Sequence, residues 1–362
     1  MWVQRLLLLA LATTRLAFSQ LQQPLRHDNS RATSIPTSLF AELERLARLV
    51  DISYCIGTTG ISKPFDCVSR CNEFPTLSLV KAWNTGILLS DSCGYIAIDH
   101  GEKRKRDIVK SQRMASSKAI IIAFRGTYSI TNTVVDLSTV PQVYVPYPSP
   151  GSNETEALED RCPNCTVHMG FWQSWKHARE VVIPEVKVLK KKYPDLPIHL
   201  VGHSLGGAVA CLAALELKIS MGWEDVVVTT FGEPRVGNHH LARYINEAFA
   251  LDRDLDLEKR SYRRITHKND PVPLLPLTEW GYHSHAGEIY IAKAGLSPTE
   301  DDVRICAGDE DPDCSAEGNS LARFELWQLF FAHRDYFWRL GLCVPGGDPA
   351  NWGPDWIYDI FP

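Results

Sequence analysis

The sequence predicts an α/β fold, in which a mainly parallel central sheet is flanked by helices on both faces. Three observations carry that expectation. The stretches AIIIAF (119–124), IHLV (198–201) and DVVVTTF (225–231) are short and almost continuously apolar, as expected of strands buried on both faces. Apolar residues recur at helical spacing in the segments around them. The two patterns alternate along the chain, which is the order of a parallel sheet covered by its own crossover helices. With 362 residues, 44% of them hydrophobic and 10% aromatic, the chain can bury the core of one large domain.

Taken in order, the first twenty residues, MWVQRLLLLALATTRLAFSQ, carry an early Arg5, an apolar centre from Leu6 to Ala12, and small residues around Ser19. That is the pattern of a secretory signal over 1–19, and the apolar run is too short for a bilayer span. No later segment reads as a stable membrane span. A polar leader fills 20–37, and the main domain is expected from 38 to 343. It begins with a helix in SLFAELERLARLVDISYC. After the strand AIIIAF comes a long amphipathic helix over 170–192, interrupted at Pro184, and then the strand that ends at Ser204. Further strands are expected at YRRITH (262–267) and GEIYIA (287–292), with a helix over 237–249 before them. LDRDLDLEKR and AGDEDPDCSAEGNS read as surface insertions, and the second lacks the ligand spacing of an EF-hand. Residues 344–362 form a tail. There is no internal repeat and no Gly/Ser linker.

The charge balance argues against nucleic acid as a partner. Loss of Arg5 and Arg15 with the signal takes the net charge from -5 to -7. The one basic run, Lys103 to Arg106, reads as a solvated turn. Ten cysteines behind a signal point to an oxidising compartment and a secreted, extracellular protein. The close pairs Cys67/Cys71 and Cys162/Cys165 are therefore read as disulfides rather than zinc ligands. Cys306 and Cys314 can close a loop, and Cys55 and Cys343 can tie the ends of the domain together. Cys93 and Cys211 are left over. Asn153 and Asn164 begin glycosylation sequons in a stretch suited to an exposed loop.

The chemistry centres on IHLVGHSLGGAVAC. Small residues at 202, 206 and 207 allow a strand to reverse sharply into a helix, which leaves Ser204 at a strained turn with its hydroxyl projecting from the sheet edge. A serine needs a histidine to take its proton and an acid to orient that histidine. Where the order is serine, acid, histidine, the partners sit on loops after later strands. Asp270 follows YRRITH in the turn HKNDPVPLLP. His283, His285 and His333 come after it. His283 and His285 precede a strand, at the wrong edge, whereas His333 follows the last strand and a long loop. His203 points away from the nucleophile and reads as structural. Leu205 N–H and Thr127, in AFRGTYSI, are the expected oxyanion donors.

The stretches FRGTYSI, GHSLGGA, FGEPRVGN, YRRITHKNDPVPLLP, GYHSHAGEIYI and AHRDYF together resemble the class 3 family of secreted fungal lipases and their feruloyl esterase relatives. The resemblance covers roughly 38 to 343 and implies an α/β-hydrolase fold without cofactor or metal. It implies Ser204 as nucleophile, Asp270 as acid, His333 as base, and Thr127 with Leu205 as oxyanion donors. The implied disulfides are Cys55–Cys343, Cys67–Cys71, Cys162–Cys165 and Cys306–Cys314. It further implies a short helical lid after the oxyanion loop, in SITNTVVDLSTVP, where Ile130, Val134, Val135 and Leu137 can form one apolar face. The expected partner is then an ester, a glycerolipid at an oil–water interface, and the expected activity that of a triacylglycerol or mono/diacylglycerol lipase. Phospholipase A1 or feruloyl esterase activity is the alternative on the same fold. A non-catalytic binding protein of the hydrolase fold is the alternative of a different class.

Overall fold

A strand buried on both faces must offer an apolar side chain to each side in turn, and AIIIAF does so. Ile120, Ile122 and Phe124 join one core and Ala119, Ile121 and Ala123 the other. The computed structural model describes residues 35–86, 91–101, 118–127, 141–149, 158–251, 259–316 and 331–349. The signal, Lys103 to Arg106, Ile130, Val134, Val135, Leu137 and Asn153 lie outside them.

Along the described chain, helix α1 (Thr37–Ile52) is followed by strands β1 (Leu77–Asn84), β2 (Cys93–Asp99), β3 (Ala119–Phe124), β4 (Pro141–Val143) and β5 (Thr166–His168). Helix α2 (Met169–Lys192), β6 (Ile198–His203), helix α3 (Leu205–Leu215), β7 (Val226–Phe231), β8 (Gly237–Asn238) and helix α4 (His239–Phe249) come next. The chain continues with β9 (Tyr262–His267), β10 (Tyr282–His283), β11 (Glu288–Ile291), β12 (Val303–Ile305), β13 (Asp335–Tyr336) and β14 (Trp338–Arg339). Eight strands form the main sheet in the order β1-β2-β3-β6-β7-β9-β11-β12. Strands β3, β6, β7, β9 and β11 run parallel, while antiparallel pairings add β2 and then β1 at one end and β12 at the other. Strands β10, β8, β5 and β4 form a separate small sheet.

Helices cover both faces. In α1, Leu39, Leu43, Leu46 and Leu49 recur every three or four residues and pack with Tyr336, Phe337 and Leu340. Trp175, Val182 and Val186 of α2 cover the opposite face beside Leu241, Ile245 and Phe249 of α4. Each fully buried side chain of this kind contributes about 2 kcal/mol. Helix α2 differs from expectation by running unbroken through Pro184. That residue lies on the exposed side, where water can meet the bond that proline cannot make. Among the described residues, no helix is long and apolar enough to cross a membrane.

Disulfides join Cys55–Cys343, Cys67–Cys71, Cys162–Cys165 and Cys306–Cys314, while Cys93 and Cys211 are free and buried. Asn164 is exposed inside the Cys162–Cys165 loop. Residues beyond Cys343 pack back onto the domain through Arg334–Asp348 at 2.6 Å and a bond from Arg70 to the Gly346 carbonyl at 3.3 Å.

Candidate active site

Strand β6 ends at His203 and α3 begins at Leu205, so a single residue makes the reversal. Ser204 takes φ 57° and ψ -130°, a backbone that L residues rarely adopt. Its amide donates to the Phe231 carbonyl at 2.9 Å, which ties the turn to β7. The flanking glycines are required by crowding. A Cβ on Gly202 would lie 2.2 Å from the Gly206 carbonyl oxygen, and one on Gly206 would lie 2.4 Å from that of Phe124. Helix α3 is buried along its whole length, so the turn rests on a fixed support. Leu205 opens that helix, where a backbone N–H has no acceptor within the helix itself.

The loop after β3 passes beside this turn. A Cβ on Gly126 would lie 2.8 Å from the His203 carbonyl oxygen and 2.9 Å from Ser204 Cβ. Thr127 is the next residue.

Asp270 follows β9 through a turn in which Asn269 adopts a left-handed conformation, φ 68°. Its buried carboxylate accepts from His333 Nδ1 at 2.9 Å, from Val272 N–H at 2.9 Å, and from the Tyr336 hydroxyl. Burial alone would raise its pKa. The His333 imidazole and the hydrogen bonds from His333, Tyr336 and Val272 outweigh that effect and hold the carboxyl below its ordinary range. The same contact pushes the Tyr336 phenol up, after burial as the larger cause. His333 is 1% exposed, and its Nε2 has no hydrogen-bond partner among the described residues. With Nδ1 donating to Asp270, a neutral ring carries its lone pair at Nε2.

Gly232 fits where these parts meet. It has φ 60°, and a Cβ there would lie 2.8 Å from His333 Cε1 and 3.0 Å from Asp270 Oδ2. The sheet register brings the groups together, because parallel β6, β7 and β9 all end at one edge.

His285 belongs elsewhere, with Nε2 3.1 Å from Glu233 Oε1 in the core. Both ring nitrogens of His203 are engaged, by the Tyr54 hydroxyl and the His333 carbonyl, and its ring lies 4.7 Å, centroid to centroid, from that of His333. Sequence reasoning missed Tyr336 as a partner of the acid. Its position three residues after His333, in HRDYF, was the available signal.

Three histidines set an acid limit on stability. Burial lowers the pKa of His203 to about 3 and that of His199 to about 4, and also lowers that of His267. Below the unfolded value of about 6.5, the unfolded chain gains protons that the folded chain refuses, and each site then costs about 1.4 kcal/mol per pH unit. Denaturant midpoints should therefore fall steeply as pH drops from 6.5 toward 4. His203→Asn should flatten the slope by one proton, and an unchanged slope would contradict the assignment.

The description of the class 3 lipase family matches residues 121–280. The chain is 58% identical to a secreted mono- and diacylglycerol lipase 2 of Gibberella zeae, over 95% of this chain and 93% of the relative. It is 55% identical to a lipase A of Sodiomyces alcalophilus, over 93% and 90%. Among solved structures, the Lip2 lipase of Yarrowia lipolytica superposes with a TM-score of 0.70 at 31% identity, over 86% of this chain and 97% of that one.

Proposed function

Because the chain belongs to the class 3 lipase family, we propose that it is a secreted mono- and diacylglycerol lipase that works through a Ser204–His333–Asp270 triad. Its general class is that of its relatives, a secreted carboxylic-ester hydrolase. The observation that carries the triad reading is the buried His333, bonded through Nδ1 to Asp270 at 2.9 Å and with Nε2 unpartnered, on the sheet edge where Ser204 turns.

In the reaction, Ser204 Oγ attacks the ester carbonyl as its proton passes to His333 Nε2. Asp270 keeps Nδ1–H oriented and stabilises the imidazolium. The oxyanion is held by Leu205 N–H and by Thr127 through its amide and hydroxyl. Collapse gives the alcohol a proton from His333 and leaves an acyl-serine, which water hydrolyses by the same route. Thr127→Val keeps the amide and removes the hydroxyl, so kcat should fall about a hundredfold with KM little changed. An unchanged kcat in steady-state assays would place that hydroxyl away from the oxyanion.

Glycerolipid at an oil–water interface is the proposed physical form of the substrate. Support comes from the apolar positions of SITNTVVDLSTVP, whose transfer from water to lipid favours an open site by about 25 cal/mol per Å2. Val134→Ser with Val135→Ser should therefore lose activity on emulsified acylglycerol and keep most activity on a soluble short-chain ester. Proportional loss on both would reject the interfacial reading. Parallel rates on a diacylglycerol, triolein, a phosphatidylcholine and methyl ferulate test the substrate class, and a phospholipid or ferulate preference would overturn it.

A further inference from the structure

Among the described residues, His333 is followed by no regular structure beyond the two-residue strands β13 and β14. Two consecutive carbonyls at this point are nevertheless gripped by histidines. His203 Nε2 lies 2.7 Å from the His333 carbonyl oxygen, and His267 Nδ1 lies 3.0 Å from that of Ala332. A carbonyl only accepts, so both ring nitrogens donate. His203 immediately precedes the nucleophile at the end of β6, and His267 ends β9, three residues before Asp270. We propose that His203, itself held by Tyr54, and His267 are positioning residues for ester hydrolysis. They clamp the backbone of the base to the two strands that deliver the nucleophile and the acid. The inference rests on the triad reading above.

The tautomer of His203 follows from its contacts. With Nε2–H donated to the His333 carbonyl, a neutral ring has only a lone pair at Nδ1. The Tyr54 hydroxyl, 2.5 Å away, therefore donates to it. Tyr54 is anchored beside Cys55 and its bond to Cys343. A Cβ on Gly126 would lie 2.6 Å from the Tyr54 hydroxyl as well as against Ser204, so this hydroxyl sits at the junction of the oxyanion loop and the nucleophile turn.

Neutrality of His203 matters because its ring lies 4.7 Å from one that becomes cationic during the reaction. The groups facing it are Tyr54, His333, Asp270, Arg334 and the Tyr336 ring. Burial, then His333, disfavours its protonation, and Arg334 adds to this, against the His333 carbonyl and Asp270. His267 faces Asp270, Asp335, Tyr336 and the carbonyls of Ala332 and Lys293, and burial again dominates. A side chain that merely filled space would need no donor here. Leucine would fill the volume and leave the carbonyl unbound, whereas glutamine can still donate.

The test compares His203→Leu, His203→Gln, Tyr54→Phe and His267→Leu on a soluble short-chain ester, with folding checked by circular dichroism and active sites counted by a serine-directed phosphonate. A base displaced by about 1 Å costs about a hundredfold, so His203→Leu and His267→Leu should each lower kcat by about ten- to a hundredfold with KM within about twofold. His203→Gln should recover most of that loss. Tyr54→Phe should cost about threefold or more in kcat, with no added effect in the His203→Leu background. Folded His203→Leu protein with wild-type kcat, or glutamine no better than leucine, overturns the proposal. If His203→Leu does not fold, Tyr54→Phe decides, because an unchanged kcat there overturns it equally. Ser204→Ala is assayed alongside. Turnover retained by that variant would reject the triad itself, whereas a dead Ser204→Ala beside a fully active His203→Leu rejects only the clamps.

Discussion

Ser204→Ala is expected to lower ester turnover by roughly 10³- to 10⁶-fold while leaving the fold intact, because the acyl-enzyme cannot form without the hydroxyl. The substitution removes one atom from a turn whose conformation is set by crowding at Gly202 and Gly206. His333→Ala should be about as damaging, since a serine without its base is a poor nucleophile. The double variant should be hardly worse than either alone, because members of a triad act as a unit. Single-turnover kinetics on a soluble ester, with thermal melts to confirm folding, measure all three. Additive losses, or appreciable turnover by pure Ser204→Ala, would place the nucleophile elsewhere.

The second large effect concerns stability. Cys55 and Cys343 are separated by 288 residues, so their bond closes a loop of nearly the whole domain. The chain-entropy account gives roughly 6 kcal/mol for such a loop and only about 2 kcal/mol for one as short as Cys162–Cys165. The Cys55→Ser/Cys343→Ser variant should therefore melt roughly 10 to 20 °C lower, against a few degrees for Cys162→Ser/Cys165→Ser. Equal shifts in scanning calorimetry would mean that local packing, rather than loop closure, sets the contribution. Because residues 331–349 carry both Cys343 and His333, loss of the long-range bond should also make the base the first part of the site to loosen.

Much of this molecule was legible before its fold was known. An apolar run such as AIIIAF, too short for a helix and without charge, fits only a strand covered on both sides. The glycine pattern around Ser204 reflects a local steric demand, and Asn269-Asp270-Pro271 a local turn. The order of serine, acid and histidine along the chain then followed from a parallel sheet whose strands all end at one edge. The antiparallel edges were less legible. In β1, Lys81 is exposed and a bulge breaks the alternation after Leu79. In β2, Gly94 is present because a Cβ would meet the Ala123 carbonyl at 2.1 Å, a contact visible only in three dimensions.

The sequence by itself determined the alternation of strands and helices and the tight turn at Ser204, and it pointed to the residues proposed for the triad, because each depends on residues close together in the chain. Tertiary structure alone decided what holds those members at working distance. Tyr336 donates to Asp270 across 66 residues, His203 to the His333 carbonyl across 130, and Tyr54 to His203 across 149. Such bonds leave no periodicity or spacing in the chain. They exist because the parallel register brings the ends of β6, β7 and β9 together, and because a buried carbonyl or ring nitrogen must find its partner there once water is excluded.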